Sequence, residues 1–269
     1  MANPKASIVI LSKNPPQALI EQLKAQTFQD FEIVYARERG ILFAMNLALE
    51  RCRGEIMVRI DDDVSIPPKW LESLLKPFSD PDVCGVTGPT FVPKDRRNNR
   101  DSIRYAENPH WFLKWLYDNG KFMPAGIYKC GCVSYDSNYE ERFKENYIHF
   151  SYEPDHLEGT NWAMRTELIR KVGGFDKKFD GVCEWFDDDV TFKIKKLGYR
   201  LAYRADAYLY HLLEKGGHFN ERFEGWGRIK NFLRFHIRHG KFHPKMVLYL
   251  LVWWGYFISK KWGIKNDAR

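Results

Sequence analysis

No apolar stretch in this chain is long enough to cross a bilayer comfortably. The longest runs from Met246 to Ile258; as a helix it spans roughly 20 Å, against a hydrocarbon core of about 30 Å. Met1 to Lys5 is short and polar, without the apolar centre of a secretory signal. A disulfide framework is also missing. Five cysteines is an odd number without framework spacing, which points to a reducing compartment. Cys130-Gly131-Cys132 is too closely spaced for a zinc pair and no second pair accompanies it, so it reads as packing. Internal repeats and low-complexity tracts are absent. Leu11 to Pro16 contains no glycine, so no Gly-rich phosphate loop follows the first predicted strand.

What remains is an ordinary globular composition with two biases. The 269 residues suffice for one large α/β domain or two small ones. Aromatic content is 16%, a density that suits a sugar-binding cleft, a membrane interface or a dense core. Formal net charge is +7, with the basic excess heaviest in the C-terminal third. That favours anionic partners such as nucleotide phosphates, acidic lipid headgroups or nucleic acid.

Apolar patterning predicts strands at Ser7–Leu11, Phe31–Tyr35, Glu55–Ile60 and Val83–Thr87. Helices are predicted between them, from Pro16 to Gln26, Ile41 to Cys52 and Lys69 to Phe78. This alternation argues for a parallel, doubly wound α/β sheet with helices on both faces. The pattern breaks from Pro93 to Asp155, a polar and aromatic insertion of the kind that is usually functional. Order returns with a helix at Thr166–Val172, a Gly173-Gly174-Phe175-Asp176 turn, a helix ending at Leu197, and strands near Arg200–Tyr203 and Ala207–Tyr210.

Two acidic clusters stand out. Asp61-Asp62-Asp63 follows directly on the third strand. Packed carboxylates at a strand end repel unless a cation or solvent neutralises them, and the carboxyl ends of strands are where open α/β sheets bind ligands. A solvated acidic turn before Pro67-Pro68 is the plainer alternative. The second cluster is Glu184-Trp185-Phe186-Asp187-Asp188-Asp189. Asp188 or Asp189 is expected to cap a helix beginning at Val190. Capping leaves the other acids, beside an expected exposed Trp-Phe pair, for general-base work or for binding substrate hydroxyls.

With these clusters in place, the chain resembles an inverting nucleotide-sugar glycosyltransferase of the family-2, GT-A type, from Ala6 to about His239. The resemblance is carried by Leu11-Ser12-Lys13-Asn14 after the first strand, Gln26-Thr27-Phe28 before Phe31-Glu32-Ile33-Val34, and Gly40 to Asn46. Farther on it is carried by Gly54-Glu55 leading into Asp61-Asp62-Asp63, and by Gly159-Thr160-Asn161-Trp162-Ala163-Met164-Arg165. Gly173-Gly174-Phe175-Asp176, Phe186-Asp187-Asp188-Asp189, Leu197-Gly198-Tyr199-Arg200 and His211 complete it. It implies an α/β, GT-A (Rossmann-like), mostly parallel central sheet flanked by helices, with a C-terminal helical extension. Residues 1–224 would form the transferase domain, with a nucleotide half to about 92 and an acceptor half from 93. Residues 225–269 would be the extension.

By the same resemblance Asp63 and His211 would ligate Mn2+ or Mg2+, and Asp61 would hold the ribose. Leu11, Ser12, Lys13, Asn46, Asp62, Gly159, Thr160 and Asn161 would line the donor. Asp187 would be the base, with Asp188 one position away as the alternative and Glu184 behind it. Glu184, Trp185 and Asp188 would meet the acceptor. The second strand departs from the family by running into Ala36-Arg37-Glu38-Arg39, so Arg37 or Arg39 would contact the base or phosphates. Phe186 also departs, standing where the family has Glu. His218 is the fallback metal ligand; His149 and His156 carry no supporting pattern.

The implied activity is metal-dependent inverting transfer from a nucleotide sugar, UDP-linked by preference, to a glycan or lipid-linked acceptor. The implied location is the cytoplasm, extending to the inner face of the membrane. The tail supports the extension: Gly225–His239 is basic and aromatic, and lysines flank Met246–Ile258. The competing view packs that run on the domain. Two rivals remain: a sugar-phosphate nucleotidyltransferase, disfavoured by the missing glycine loop, and a basic aromatic membrane- or RNA-binding module. The acidic clusters weigh against a nucleic-acid partner.

Overall fold

The computed structural model describes residues 3–97, 110–118, 121–134, 136–146, 153–179, 181, 184–214, 225–240 and 242–261. His149, His218, Trp262 and part of the predicted insertion lie outside them. In chain order the first elements are β1 (Ala6–Leu11), α1 (Gln17–Lys24), β2 (Phe31–Tyr35), α2 (Ile41–Arg51), β3 (Ile56–Asp61), β4 (Val64–Ser65) and α3 (Trp70–Leu75). Then come β5 (Val83–Thr87), β6 (Thr90–Phe91), α4 (Trp111–Leu116), α5 (Glu140–Asn146), β7 (Asn161–Arg165) and α6 (Thr166–Lys171). The last are α7 (Phe186–Lys195), β8 (Arg200–Tyr203), β9 (Leu209–His211), α8 (Gly225–His239) and α9 (Pro244–Lys261).

A six-stranded sheet runs in the order β2-β1-β3-β7-β5-β8, and a three-stranded one in the order β4-β9-β6. Strands β2, β1 and β3 are mutually parallel, as are β5 and β8. Strand β7 lies between the two sets and is antiparallel to both neighbours. The apolar patterning predicted a parallel sheet and no strand at 161–165. The strand is short, and its leading Asn161 is polar yet wholly buried, so it has no apolar alternation to mark it.

Residues alternate across β3. Ile56, Val58 and Ile60 pack with Leu19 and Leu23 of α1 and Trp70, Leu71 and Leu74 of α3. Met57 belongs to the other layer, with Leu42 and Met45 of α2, Trp162 and Phe186. A strand's two-residue period therefore sends Arg59 and Asp61 toward the same layer as Met57. Each large apolar side chain buried in these layers contributes roughly 1.5–3 kcal/mol.

The C-terminal segment is built into this second layer. Phe232 and Phe235 of α8 and Met246 of α9 are buried with Trp185 and Phe186. The Trp185 ring stacks on Phe235 with centroids 4.6 Å apart. Gly131, at φ +85°, sits so close to α8 that a Cβ there would meet the Phe232 ring at 2.6 Å. The Cys130-Gly131-Cys132 segment is thus a packed contact, with both cysteines buried.

The cations of α8 serve the same packing. Arg228 pairs with Glu184 at 2.7 Å, and Arg238 reaches Asp176 at 2.9 Å and Asp189 at 2.8 Å. Arg234 lies over the Phe179 ring at 5.4 Å. The basic character of 225–239, read from sequence as a surface for anionic partners, is largely spent inside the chain. Helix α9 divides lengthwise. Tyr249 and Leu250 pack on the core and Leu248 and Val252 on a small cluster around Tyr128 and Cys132. Val247, Leu251, Trp254 and Ile258 are exposed.

Candidate active site

The carboxyl end of β3 delivers Asp61 beside Leu11, its register partner on β1. The chain then turns through Asp62 and Asp63 into β4, which pairs antiparallel with β9 so that Val64 faces His211. That pairing brings together side chains about 150 positions apart. Ligand-capable atoms of Asp61, Asp63 and His211 all lie within 4.8 Å of one another. His211 Nε2 is 3.2 Å from Asp63 Oδ1, and the Glu214 amide donates to Asp63 Oδ2 at 3.0 Å. Burial works to raise the Asp63 pKa, but His211 and the Glu214 amide outweigh it and hold the carboxyl below its ordinary value. Two carboxylates and an imidazole, all partly exposed, could hold a divalent cation. Asp62 is partly exposed beside this group.

The second cluster is arranged differently from expectation. Helix α7 starts at Phe186, and the residue before it, Trp185, takes a left-handed conformation at φ 70°. Asp187, Asp188 and Asp189 therefore occupy the first helical turn, where the helix dipole favours negative charge, and no side chain caps the helix. Trp185 and Phe186 are buried rather than exposed, because α8 covers them. Asp189 is fully buried and structural: it accepts from His239 Nε2 at 2.7 Å and Arg238 Nη1 at 2.8 Å, and pairs with Lys193.

Asp187 faces the sheet. Its Oδ2 is 3.4 Å from Arg59 Nη1. Burial, with help from the neighbouring Asp188 charge, raises its pKa to about 6 against the pull of Arg59. Asp188 Oδ1 lies 3.5 Å from His156 Nδ1. Burial alone would depress the His156 pKa, but its contact with Asp188 carries it up to about 9. Half-buried Glu158 stands beside them with its pKa raised by desolvation, accepting from Ser137 at 2.8 Å.

Several residues expected at the donor or the acceptor make contacts within the chain. Asn161 is buried, its oxygen accepting from Trp70 Nε1 at 2.9 Å and its amide donating to the carbonyls of Pro89 and Ala207. None of its polar atoms is left for a ligand. Asn46 clasps α2 to the Gly173-Gly174-Phe175 turn, donating to the Phe175 carbonyl and accepting from its amide. Trp185 is a core residue and Glu184 is an ion-pair partner of Arg228.

Leu11 and Ser12 lie partly exposed at the end of β1, with Lys13 exposed beyond them. Arg37 and Arg39 are exposed past the end of β2, where Arg37 covers the Tyr35 ring. Gly159 runs close to Asp187, and Thr160 reaches Thr90 at 3.5 Å. Arg59, His156 and Glu158 were missed from sequence. The one available signal was Arg59 itself, a charge inside an otherwise apolar strand. A cleft of about 590 Å3 lined by Lys5, Arg53, Glu55 and Arg170 lies at the amino ends of the strands, opposite Asp61, and contains none of these groups.

Residues 8–173 match the family model described as glycosyl transferase family 2. The chain belongs to that family. It is 25% identical over 182 residues to the glucosyl-dolichyl phosphate glucuronosyltransferase of Haloferax volcanii, covering 65% of this chain and 48% of that protein. It is 27% identical over 183 residues to the pre-mycofactocin glycosyltransferase of Mycobacterium tuberculosis, covering 68% and 32%. The chain thus spans half or less of the length of these relatives.

Among solved structures, the mannosyltransferase of Pyrobaculum calidifontis, in complex with GDP-Man and Mn2+, superposes with TM-score 0.53 at 18% identity, covering 91% of this chain and 67% of that one. GalNAc-T7, with UDP, GalNAc and Mn2+, gives TM-score 0.56 at 13% identity, covering 87% and 48%. The fold is α/β of the GT-A type, and the enzyme class is glycosyltransferase.

Proposed function

We propose that this family-2 glycosyltransferase transfers a sugar from a nucleotide-sugar donor, UDP-linked by preference, to a hydroxyl of a glycan or lipid-linked acceptor, inverting the anomeric centre. The observation that carries the reading is the convergence of Asp61, Asp63 and His211 at the end of β3, with Asp187 joined to Asp61 through the Arg59 side chain. In this reading Asp63 and His211 hold Mn2+ or Mg2+ and Asp61 holds the ribose. The donor set fits: carboxylate oxygens and one imidazole nitrogen suit Mn2+ and accommodate Mg2+. When bound, such a cation neutralises charge on the departing nucleoside diphosphate.

The protein's own groups do the rest. The loop of Ser12 and Lys13 borders the donor, with Arg37 and Arg39 available to the base or phosphates. Asp187 takes the proton of the acceptor hydroxyl as its oxygen attacks the anomeric carbon opposite the leaving group. The oxygen–carbon bond forms while the bond to the diphosphate breaks, so one displacement inverts configuration. A carboxyl whose pKa is raised to about 6 is ionised at neutral pH yet basic enough to accept a proton.

The relatives bear on the substrates by analogy. Haloferax volcanii's enzyme is named for a glucosyl-dolichyl phosphate, and the two solved enzymes were captured with GDP-Man and with UDP and GalNAc. A lipid-linked acceptor would require the chain to approach a bilayer. No helix of the described residues is long and apolar enough to cross one. The exposed stripe Val247, Leu251, Trp254 and Ile258 on α9, with Trp226 packed against Trp254 at 4.9 Å, is the surface proposed to lie on the membrane.

A thermal-shift panel of nucleoside diphosphates and nucleotide sugars with Mn2+ tests the donor side. A shift for one base that disappears on chelation supports the reading; no metal-dependent shift for any of them would overturn it.

A further inference from the structure

Position 59 sits in the middle of a buried strand, 3% exposed, opposite Trp162 on β7 and facing the same layer as Met57. An apolar side chain would serve packing there. A guanidinium taken out of water is tolerable only where partners compensate it. Arg59 has three, on three separate segments: Nη2 reaches Asp61 Oδ1 at 3.0 Å, and Nη1 donates to the Gly159 carbonyl and to Asp187 Oδ2 at 3.4 Å. Its planar end also lies 5.5 Å from the Phe186 ring centroid, while its Nε has no partner. The contacts join the acidic end of β3, the loop before β7 and the first turn of α7.

From this geometry we infer that Arg59 is the positioning residue of the site, fixing the Asp187 carboxylate in orientation and holding it ionised, and tying it to Asp61 across the sheet. The catalytic part of this inference rests on Asp187 being the base.

The electrostatics agree. Burial and the Asp188 charge push protonation of Asp187 upward, and Arg59 opposes them. The other charges around Asp187 are Asp188 on its own helix and His156 on the loop before β7, with Glu158 beside His156; Asp61 lies on the far side of Arg59. Removing the guanidinium leaves them all in place, so the Asp187 pKa rises further. A carboxyl with a raised folded-state pKa contributes stability that is present at low pH and lost as pH rises through that pKa. The loss of Arg59 should therefore be felt more at high pH than at low.

The test is a double-mutant cycle on the full chain, read as melting temperature between pH 5 and pH 8 without metal or nucleotide. Arg59→Gln is expected to lower the melting temperature, by roughly 3 °C more at pH 8 than at pH 5 for about one unit of added shift. In the Asp187→Asn background that pH dependence should vanish. A fall of the same size at every pH, or one unchanged by Asp187→Asn, would overturn the inference and leave Arg59 as mere filling. Should Arg59→Gln not fold, Arg59→Lys carries the comparison: one ammonium cannot reach Asp61 and Asp187 together, and the same two outcomes apply with a smaller difference. The base assignment fails separately, through Asp187→Asn that still transfers sugar.

Discussion

His239 Nε2 donates to Asp189 Oδ1 at 2.7 Å, so the last turn of α8 is tied to the first turn of the helix that carries Asp187. Arg238 and Lys193 share the same fully buried carboxylate. Burial works against ionisation of Asp189, but His239, Lys193 and Arg238 prevail and hold its pKa down at about 2. A carboxyl with a depressed folded-state pKa stabilises the fold above its unfolded value and loses that contribution as pH falls through the folded one. We expect Asp189→Ala to destabilise the chain by roughly 3 kcal/mol, because the cations are left without their counter-charge. The deficit relative to the parent should shrink between about pH 4 and pH 2. Urea melts across that range check it; a deficit independent of pH would mean packing alone is lost.

Asp63 makes the opposite kind of prediction. It is partly exposed, and the contacts it would lose with His211 and the Glu214 amide are offset in part by relief from the neighbouring carboxylates, so Asp63→Ala should lower the melting temperature only slightly while abolishing Mn2+-dependent binding of UDP or GDP. His211→Ala should weaken that binding too, since its imidazole completes the same group. Calorimetry with and without Mn2+ decides. Parent-like affinity in Asp63→Ala would move the cation elsewhere.

Asp187→Asn should keep donor affinity and lose transfer by ~10²–10⁴-fold, the usual cost of removing a general base. In the parent, transfer should fall about tenfold per pH unit below the Asp187 pKa of about 6, because only the ionised carboxyl accepts a proton. Transfer rates at saturating donor, beside calorimetric donor binding, test both. Retained transfer in Asp187→Asn with loss in Asp188→Asn would shift the base by one residue.

How much of this was legible in the sequence follows from the range of the interactions. The triplet at the end of β3 could be read because a buried strand, a turn and three acids are adjacent in the chain. The three parallel strands beside it were readable for the same reason, from apolar runs with helical patterns between them. The position of α7 was not, because its start is set by burial of Trp185 and Phe186 under α8, about 45 residues later. Capping logic, which is local, therefore placed the helix four residues late. Asn161 and Asn46 look like ligand-binding amides in a motif, yet each closes hydrogen bonds between distant segments. His156 could not be picked out because its partner Asp188 is 32 positions away.

The tail offers the last test. Its basic residues were expected to face anionic lipid, but Arg228, Arg234 and Arg238 are engaged with Glu184, Phe179, Asp176 and Asp189. What α9 turns to solvent, among the described residues, is apolar: Val247, Leu251, Trp254 and Ile258, spaced four, three and four residues apart on one side of the helix, with Leu251 60% exposed. Such spacing makes a continuous stripe on a helix. Burying it in a membrane interface would draw on apolar area rather than on charge. We therefore expect co-sedimentation with phosphatidylcholine vesicles as well as with anionic ones, and only a modest loss at high salt. Leu251→Glu with Ile258→Glu should abolish it with little change in the melting temperature, because both side chains are exposed and neither is part of the buried core. Unchanged co-sedimentation in that double variant would remove α9 from the membrane reading. Binding confined to anionic vesicles and lost at high salt would assign the contact to charge elsewhere on the chain.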